Sequence, residues 1–219
     1  PSPPSPLKLQ QIGGDIDGEA AGDLSGWTVS LSADGMLLAV GAYGNEDDTG
    51  HVRVFEWSGG AWTQRGDDID GEEAGDESGR SVSLSNDGLR LAVGAEKDDV
   101  WDGSGNLWED RGKARIFEWS NGAWALLGNG IAGDAAGDES SAAVSLSGNG
   151  MRVAIGARRD DDVATNSGQI KVWEWDGSAW TQVGGDINGC CQAEKTGTAI
   201  SLNQDGTRLA VGEPYNDGQ

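Results

Sequence analysis

The stretch SVSLSNDGLRLAVGA, Ser81 to Ala95, decides how the rest of the chain is read, because it occurs four times. It returns as TVSLSADGMLLAVGA from Thr28, AVSLSGNGMRVAIGA from Ala143 and AISLNQDGTRLAVGE from Ala199. Within a copy, Val82 and Leu84 alternate with serines, the period-two pattern of a half-buried strand. Asn86-Asp87-Gly88 then supplies an Asx/Gly turn, so each copy reads as a tight hairpin. The turn glycines Gly35, Gly88, Gly150 and Gly206 lie 53, 62 and 56 residues apart. That period suits a four-stranded unit with long loops.

Outward from the hairpin, each unit carries a variable acidic loop and then HVRVFEW (His51 to Trp57), KARIFEW (Lys113 to Trp119) or QIKVWEW (Gln169 to Trp175). A Gly-containing turn and AWTQRG, AWALLG or AWTQVG follow, which makes a second hairpin. In VRVFEW, Val52 and Val54 point to one face and Phe55 and Trp57 to the other, so the sheet must be covered on both sides. A β-propeller meets that need by placing each four-stranded antiparallel blade between two others. The pairs Trp57/Trp62, Trp119/Trp124 and Trp175/Trp180 then read as inter-blade core or hairpin staples, with carbohydrate stacking as the other use of such residues.

The predicted fold class is therefore all-β: a β-propeller of four-stranded antiparallel blades, about three and a half of them present. A Pro/Ser linker is expected over 1–6, and blades over 7–219, with repeats at about 13–65, 66–127, 128–183 and an incomplete 184–219. Leu7 to Ile12 is expected to be a lone outer strand equivalent to AWTQRG. Ala199 to Leu202 and Arg208 to Val211 form the last two strands, so the chain is expected to be a fragment of a larger propeller or repeat array.

Composition agrees. Gly occurs 37 times and Trp 10 times against 2 Tyr and 2 Phe, which suits short strands, tight turns and one aromatic type reused at equivalent places. The balance of 15 Lys+Arg against 37 Asp+Glu, net −22, repels phosphate backbones and anionic lipid. No nucleic acid and no membrane insertion are expected, since no run nears the roughly 18 apolar residues of a span. Cys190 and Cys191 are adjacent; a vicinal disulfide, a bridge to another chain and two free thiols all remain open.

The pattern GDESGRSVSLSNDGLRLAVGA, from Gly75 to Ala95, resembles the FG-GAP repeat, the blade unit of integrin α-subunit propellers and of many secreted surface proteins. The resemblance covers nearly the whole chain from Leu7. It implies an extracellular or cell-surface propeller used in adhesion or protein recognition, often with calcium in some blades. The family's calcium hairpin is Asp-rich, of DxDxDG type. Here the corresponding turns at Asp34, Asp87, Asn149 and Asp205 hold at most one carboxylate each, so calcium would need other ligands.

Two sets of residues are candidates. The loops before the first two hairpins place Asp15, Asp17, Glu19 and Asp23, then Asp68, Asp70, Glu72 and Asp76, in Gly-rich turns that could converge oxygens on Ca²⁺ or simply form Asx turns. The third and fourth copies lose most of these carboxylates. The variable loops, longest from Lys97 to Arg111, vary in length while the strands do not, which marks a face where partners are met. Asp98, Asp99, Asp102 and the extra-repeat Trp101 and Trp108 are the expected contacts for a protein or glycan partner. With a single histidine, His51, no Ser-His-Asp or Cys-His set can be assembled, so the chain is expected to be no enzyme. A non-catalytic adhesion or assembly protein is the leading expectation. A carbohydrate-binding module, or the non-catalytic part of a glycan-active enzyme, is the alternative, and adjoining segments of a longer chain are expected as further partners.

Overall fold

The computed structural model describes residues 10–101, 104–105 and 107–216. It is all-β. The first sheet runs β1 (Thr28–Leu31), β2 (Leu37–Ala42), β3 (His51–Ser58) and β4 (Ala61–Gln64) in spatial order, and the two-residue β5 (Ile69–Asp70) pairs beside β4 on β3. The second repeats this plan with β6 (Ser78–Leu84) and β7 (Arg90–Ala95). A small extra hairpin, β8 (Val100–Trp101) with β9 (Leu107–Trp108), precedes β10 (Lys113–Ser120), β11 (Ala123–Leu126) and β12 (Ile131–Ala132). The third comprises β13 (Ser140–Leu146), β14 (Arg152–Ala157), β15 (Gln169–Trp175), β16 (Trp180–Gln182) and β17 (Ile187–Asn188); β18 (Ala199–Leu202) and β19 (Leu209–Gly212) form a final hairpin. All pairings of these strands are antiparallel.

Each repeated hairpin is fixed by its own turn. Ser32 Oγ donates to Asp34 Oδ1 and accepts the Leu37 amide, and Asp34 Oδ1 accepts the Met36 amide. Ser85–Asp87, Ser147–Asn149 and, with Asn203 in place of serine, Asp205 do the same work. Hydrogen bonding to the Ser32 hydroxyl and the Met36 amide holds the Asp34 carboxyl below its ordinary range. These carboxylates are turn braces.

Successive sheets pack face to face, first strand against first strand. One core cluster joins Leu37, Ala39, Val52 and Val54 of the first sheet to Leu84, Leu91, Val93 and Phe117 of the second. A second cluster joins Ala92, Ala114 and Ile116 of the second sheet to Val144, Leu146, Val153 and Ile155 of the third. The middle sheet is thus buried on both faces, as its sequence requires. Both ends of the stack stay open: Val29 and Leu31 are 61% and 57% exposed, whereas the equivalent Val144 and Leu146 are 8% and 5% exposed.

Polar seams run between the same faces. The amides of Leu84, Leu146 and Leu202 donate to the hydroxyls of Ser30, Ser83 and Ser145 of the preceding sheet, each at 2.9 Å. The turn amides of Ala33, Asn86 and Gly148 donate to the carbonyls of Asn86, Gly148 and Gln204 of the following one. Gly41, Gly94 and Gly156, in the VGA and IGA segments, make this approach possible. A Cβ on any of them would overlap the carbonyl oxygen of Gly79, Ser141 or Gly197 in the next sheet.

Four details differ from the sequence reading. No strand forms over residues 10–12, and residues 7–9 lie outside the described set. The first strands of the second and third sheets begin earlier than the SVSLS pattern, at Ser78 and Ser140, and then carry a bulge built on Gly79 and Ser141 at positive φ. β5, β12 and β17 were invisible as two-residue elements. Asn45–Asp48 is a tight helical turn in which Glu46, Asp47 and Asp48 all take positive φ, a left-handed path that acidic residues adopt at some cost. Among the described residues no helix is long and apolar enough to cross a membrane.

Gly94→Ala should therefore destabilise the chain by about 2–3 kcal/mol, because the methyl must push the third sheet's first strand away. Gly185→Ala, where a Cβ meets nothing within 4 Å, should be neutral within about 0.5 kcal/mol. Urea denaturation of both variants checks this, and equal effects would mean that the sheets do not approach at Gly94.

Candidate cation-binding rim

The strand directions put every long connection on one edge of the stack, where the first and third strands of each sheet begin. The loops before the sheets, the variable loops and the first residues of β3, β10 and β15 all meet there. The four acidic-loop copies share one brace. Asp23 accepts the Ala20 amide, Asp76 the Glu73 amide, Asp138 the Ala135 amide, and Glu194 the amides of Cys190 and Cys191. Asp23, Asp76, Asp138 and Glu194 are all buried. Burial raises the Asp76 and Asp138 carboxyls from their ordinary range, against the pull of those amides.

The remaining predicted ligands are divided among neighbours. Asp15 and Asp68 accept from Gln11 and Gln64 four residues earlier, as Asp186 does from Gln182. The third copy has lost both members of the pair at once, holding Leu126 and Gly130. Asp17 and Asp70 use their backbone carbonyls to accept from Arg53 and Arg115. Glu72 is ion-paired to Lys113, which also lies 3.7 Å from Asp98. Glu19 lies 3.6 Å from Arg53. Neither predicted quartet closes as a cluster of its own among the described residues.

Carboxylates from different loops do converge. Glu19, ahead of the first sheet, and Asp68, after it, come together with His51 at the start of β3, with potential donor atoms all within 4.8 Å of one another. The pairing of His51 with Asp70 across β3 and β5 brings Asp68 there. At the third sheet Asp134, Asp162 and Asp186 form the matching group, and the Lys171 ammonium contacts Asp134 and lies 3.8 Å from Asp186. Cys190, Cys191 and Glu194 form a third group, with both thiols free and 2.8 Å apart. The hydrogen bonds to Cys191 and Glu194 push the Cys190 thiol up to about 12, which keeps it protonated and quiet.

The start of the longest variable loop is tied to its end, the Gly112 amide donating to the Asp98 carbonyl. Asp98 is 4% exposed, so its carboxylate faces the interior and not a partner. Burial drives it to about 7, with Lys113 opposing and Asp76 and Glu72 assisting. Asp99 accepts the Asp110 amide. Trp108 is half-buried under the Arg111 guanidinium at 4.9 Å. Trp101 lies in β8, and Asp102 falls outside the described residues.

A buried ionic cluster between the second and third sheets was missed by sequence. Glu96, 1% exposed, meets Arg80 at 3.0 Å and Arg158 at 3.2 Å; Arg158 also pairs with Glu139, and Lys97 with Glu77. Arg80 stacks on Trp27 and Tyr43, both at 4.6 Å. Burial raises Glu96, partly offset by Arg158 and Arg80. The Trp pairs pack edge to face or tilted at 5.3–5.5 Å, and Trp124 and Trp180 donate to the Arg65 and Leu127 carbonyls of the preceding sheet, as staples should. The small, partly open pocket lined by Ile131, Asp134, Lys171 and Trp173 measures about 10 Å³, the lower limit for holding one water.

No family model matches the chain, and no curated protein matches it. Among solved structures, it is similar to a putative 6-phosphogluconolactonase from Bacteroides uniformis, with a TM-score of 0.55 at 14% identity. The match covers 84% of this chain and 46% of that one, so the chain spans about half the length of that protein. At that identity the likeness is one of fold.

Asp98 gives a pH dependence of definite sign. Its folded carboxyl, at about 7, lies above the unfolded value of 3.8, so the folded state binds the extra proton between those values and loses stability as pH rises through them. Asp98→Asn removes that loss. It should raise stability by about 2–4 kcal/mol at pH 8 and leave it nearly unchanged at pH 4, which chemical denaturation at the two pH values will show.

Proposed function

We propose that this chain is part of an FG-GAP-type β-propeller, a non-catalytic scaffold at the cell surface or outside the cell that serves adhesion, assembly or protein recognition. The observation that carries the reading is the division of labour within the repeat. The seam between sheets recurs residue for residue, while the loops on one rim vary in length and gather the charge. Face-to-face stacking of four-stranded antiparallel meanders through their first strands supports blades around an axis, and Val29 and Leu31 are the face that a further repeat would cover. Calcium, held by rim carboxylates such as Asp134, Asp162 and Asp186, would stiffen these loops in competition with Lys171.

Glycan binding is the second reading, and one observation favours it. An open hollow of about 370 Å³ is lined by Trp173, Trp180, Asn129 and Ser178, an aromatic and polar mixture suited to a sugar. The name of the structural neighbour adds a third class, lactone hydrolysis, and the −22 charge opposes recognition of a phosphorylated substrate.

The test sets these against one another. Thermal melts in calcium and in chelator, a glycan array, and hydrolysis of 6-phosphogluconolactone are measured on the same preparation. The scaffold reading expects melting to rise by several degrees in calcium and no hydrolysis above buffer. Turnover of the lactone would overturn it, and sugar binding lost in Asn129→Ala, with the fold retained by circular dichroism, would move the assignment to the glycan reading.

A further inference from the structure

We propose that Glu19, His51 and Asp68 form a binding site for one divalent transition-metal ion of the zinc, nickel and cobalt class, bridging the loops on either side of the first sheet. This site stands independently of the scaffold reading and is distinct from a calcium site in its use of an imidazole. His51 is the only histidine and is 1% exposed. Among the described residues its Nε2 has no hydrogen-bond partner, and its Nδ1 lies 3.9 Å from Asp68 Oδ2, beyond a hydrogen bond. A buried imidazole left without partners costs stability, and an ion among the three side chains satisfies one of its nitrogens.

The repeats supply an internal comparison. At the second sheet the residue equivalent to His51 is Lys113, whose ammonium is paired with Glu72 and lies 3.7 Å from Asp98. At the third sheet the ammonium of Lys171 sits between Asp134 and Asp186, and Gln169, in the place of His51, donates to Asp162. In both, the protein's own cation neutralises the converging carboxylates. The first sheet has no lysine there. Arg53, the counterpart of Lys171, donates to the Asp17 carbonyl and reaches Glu19 at 3.6 Å, but among the described contacts it does not pair with Asp68. Among the described contacts Asp68 accepts from the Gln64 amide and faces the His51 ring, with no Lys or Arg paired to it.

The donor set selects the ion. One imidazole nitrogen and two carboxylates suit borderline divalent metals bound at about 2.0–2.2 Å, with water completing the shell. Calcium, which takes six to eight oxygens, gains little from an imidazole. Donors already within 4.8 Å need shift by only about an ångström, and Glu19, half exposed, can leave Arg53 to do so.

Zinc titration by calorimetry on the intact chain, on His51→Gln, and on a Cys190→Ser/Cys191→Ser variant tests the assignment. One saturable site is expected, retained in the cysteine variant and weakened at least tenfold in His51→Gln, with the response to calcium the same in all three. His51→Lys should abolish zinc binding while melting no lower than the metal-free parent, because it recreates the second sheet's arrangement. If His51→Gln does not fold, as judged by circular dichroism, Asp68→Asn takes its place. Absence of a saturable zinc site, loss of it in the cysteine variant, or zinc affinity unchanged in His51→Gln and Asp68→Asn would overturn the proposal. A change in calcium response alone would bear on the scaffold reading and leave zinc binding at His51 to be read separately.

Discussion

The architecture depends on backbone meeting backbone at Gly41, Gly94 and Gly156. At Gly41 and Gly94 the next sheet's first strand, and at Gly156 the segment leading into it, lays a carbonyl oxygen where a side chain would begin. That contact sets the spacing between sheets, and the other features of the seam follow from it. Only at that spacing do the Leu84, Leu146 and Leu202 amides reach serine hydroxyls across the interface. The first strand is the edge of its own sheet, so these amides would otherwise be unpaired inside the stack. The seam meets the backbone's hydrogen-bonding demand and fixes the register between sheets at once. The two apolar clusters then fill the space on the same faces, with the middle sheet contributing to both.

Function follows from what the seam leaves free. Because it occupies the faces, variation is confined to the rims, and the short Asx turns occupy one of these. The other rim receives every long loop and most of the recurring charge. There the chain repeatedly confronts one problem, carboxylates from neighbouring loops brought together, and solves it with different cations. Lys113 and Lys171 serve the second and third sheets, and the guanidiniums of Arg80 and Arg158 serve Glu96 in the buried cluster between them. At the first sheet, where His51 lies between Glu19 and Asp68, Arg53 reaches Glu19, and among the described contacts no Lys or Arg pairs with Asp68.

The hairpins were legible because their information is local. Ser85, Asp87 and Gly88 write the turn, and alternation over SVSLS and RLAVGA writes the two strands. Two-sided apolarity in VRVFEW announced covered sheets, and the Trp pairs announced staples. The site was less legible. Glu19 and Asp68 are 49 residues apart in sequence and meet only because the two-residue β5 pairs with the start of β3, a register too short to show any periodicity. Asp98 looked like a surface charge because the groups around it, Lys113, Glu72 and Asp76, come from other elements of the fold. The buried cluster left one faint sign, a charged residue, Glu96 or Arg158, directly after the VGA or IGA segment of the second and third repeats. The burial that makes them a cluster belongs to contacts between repeats.

The central claim, that consecutive sheets are locked together through their first strands, is tested most directly by native-state hydrogen exchange at the Leu84, Leu146 and Leu202 amides. If each is held by the serine of the preceding sheet, they exchange as slowly as amides inside the sheet ladders, and Ser83→Ala selectively deprotects Leu146. Rapid exchange at all three in the folded protein, or no change at Leu146 in that variant, would contradict the seam.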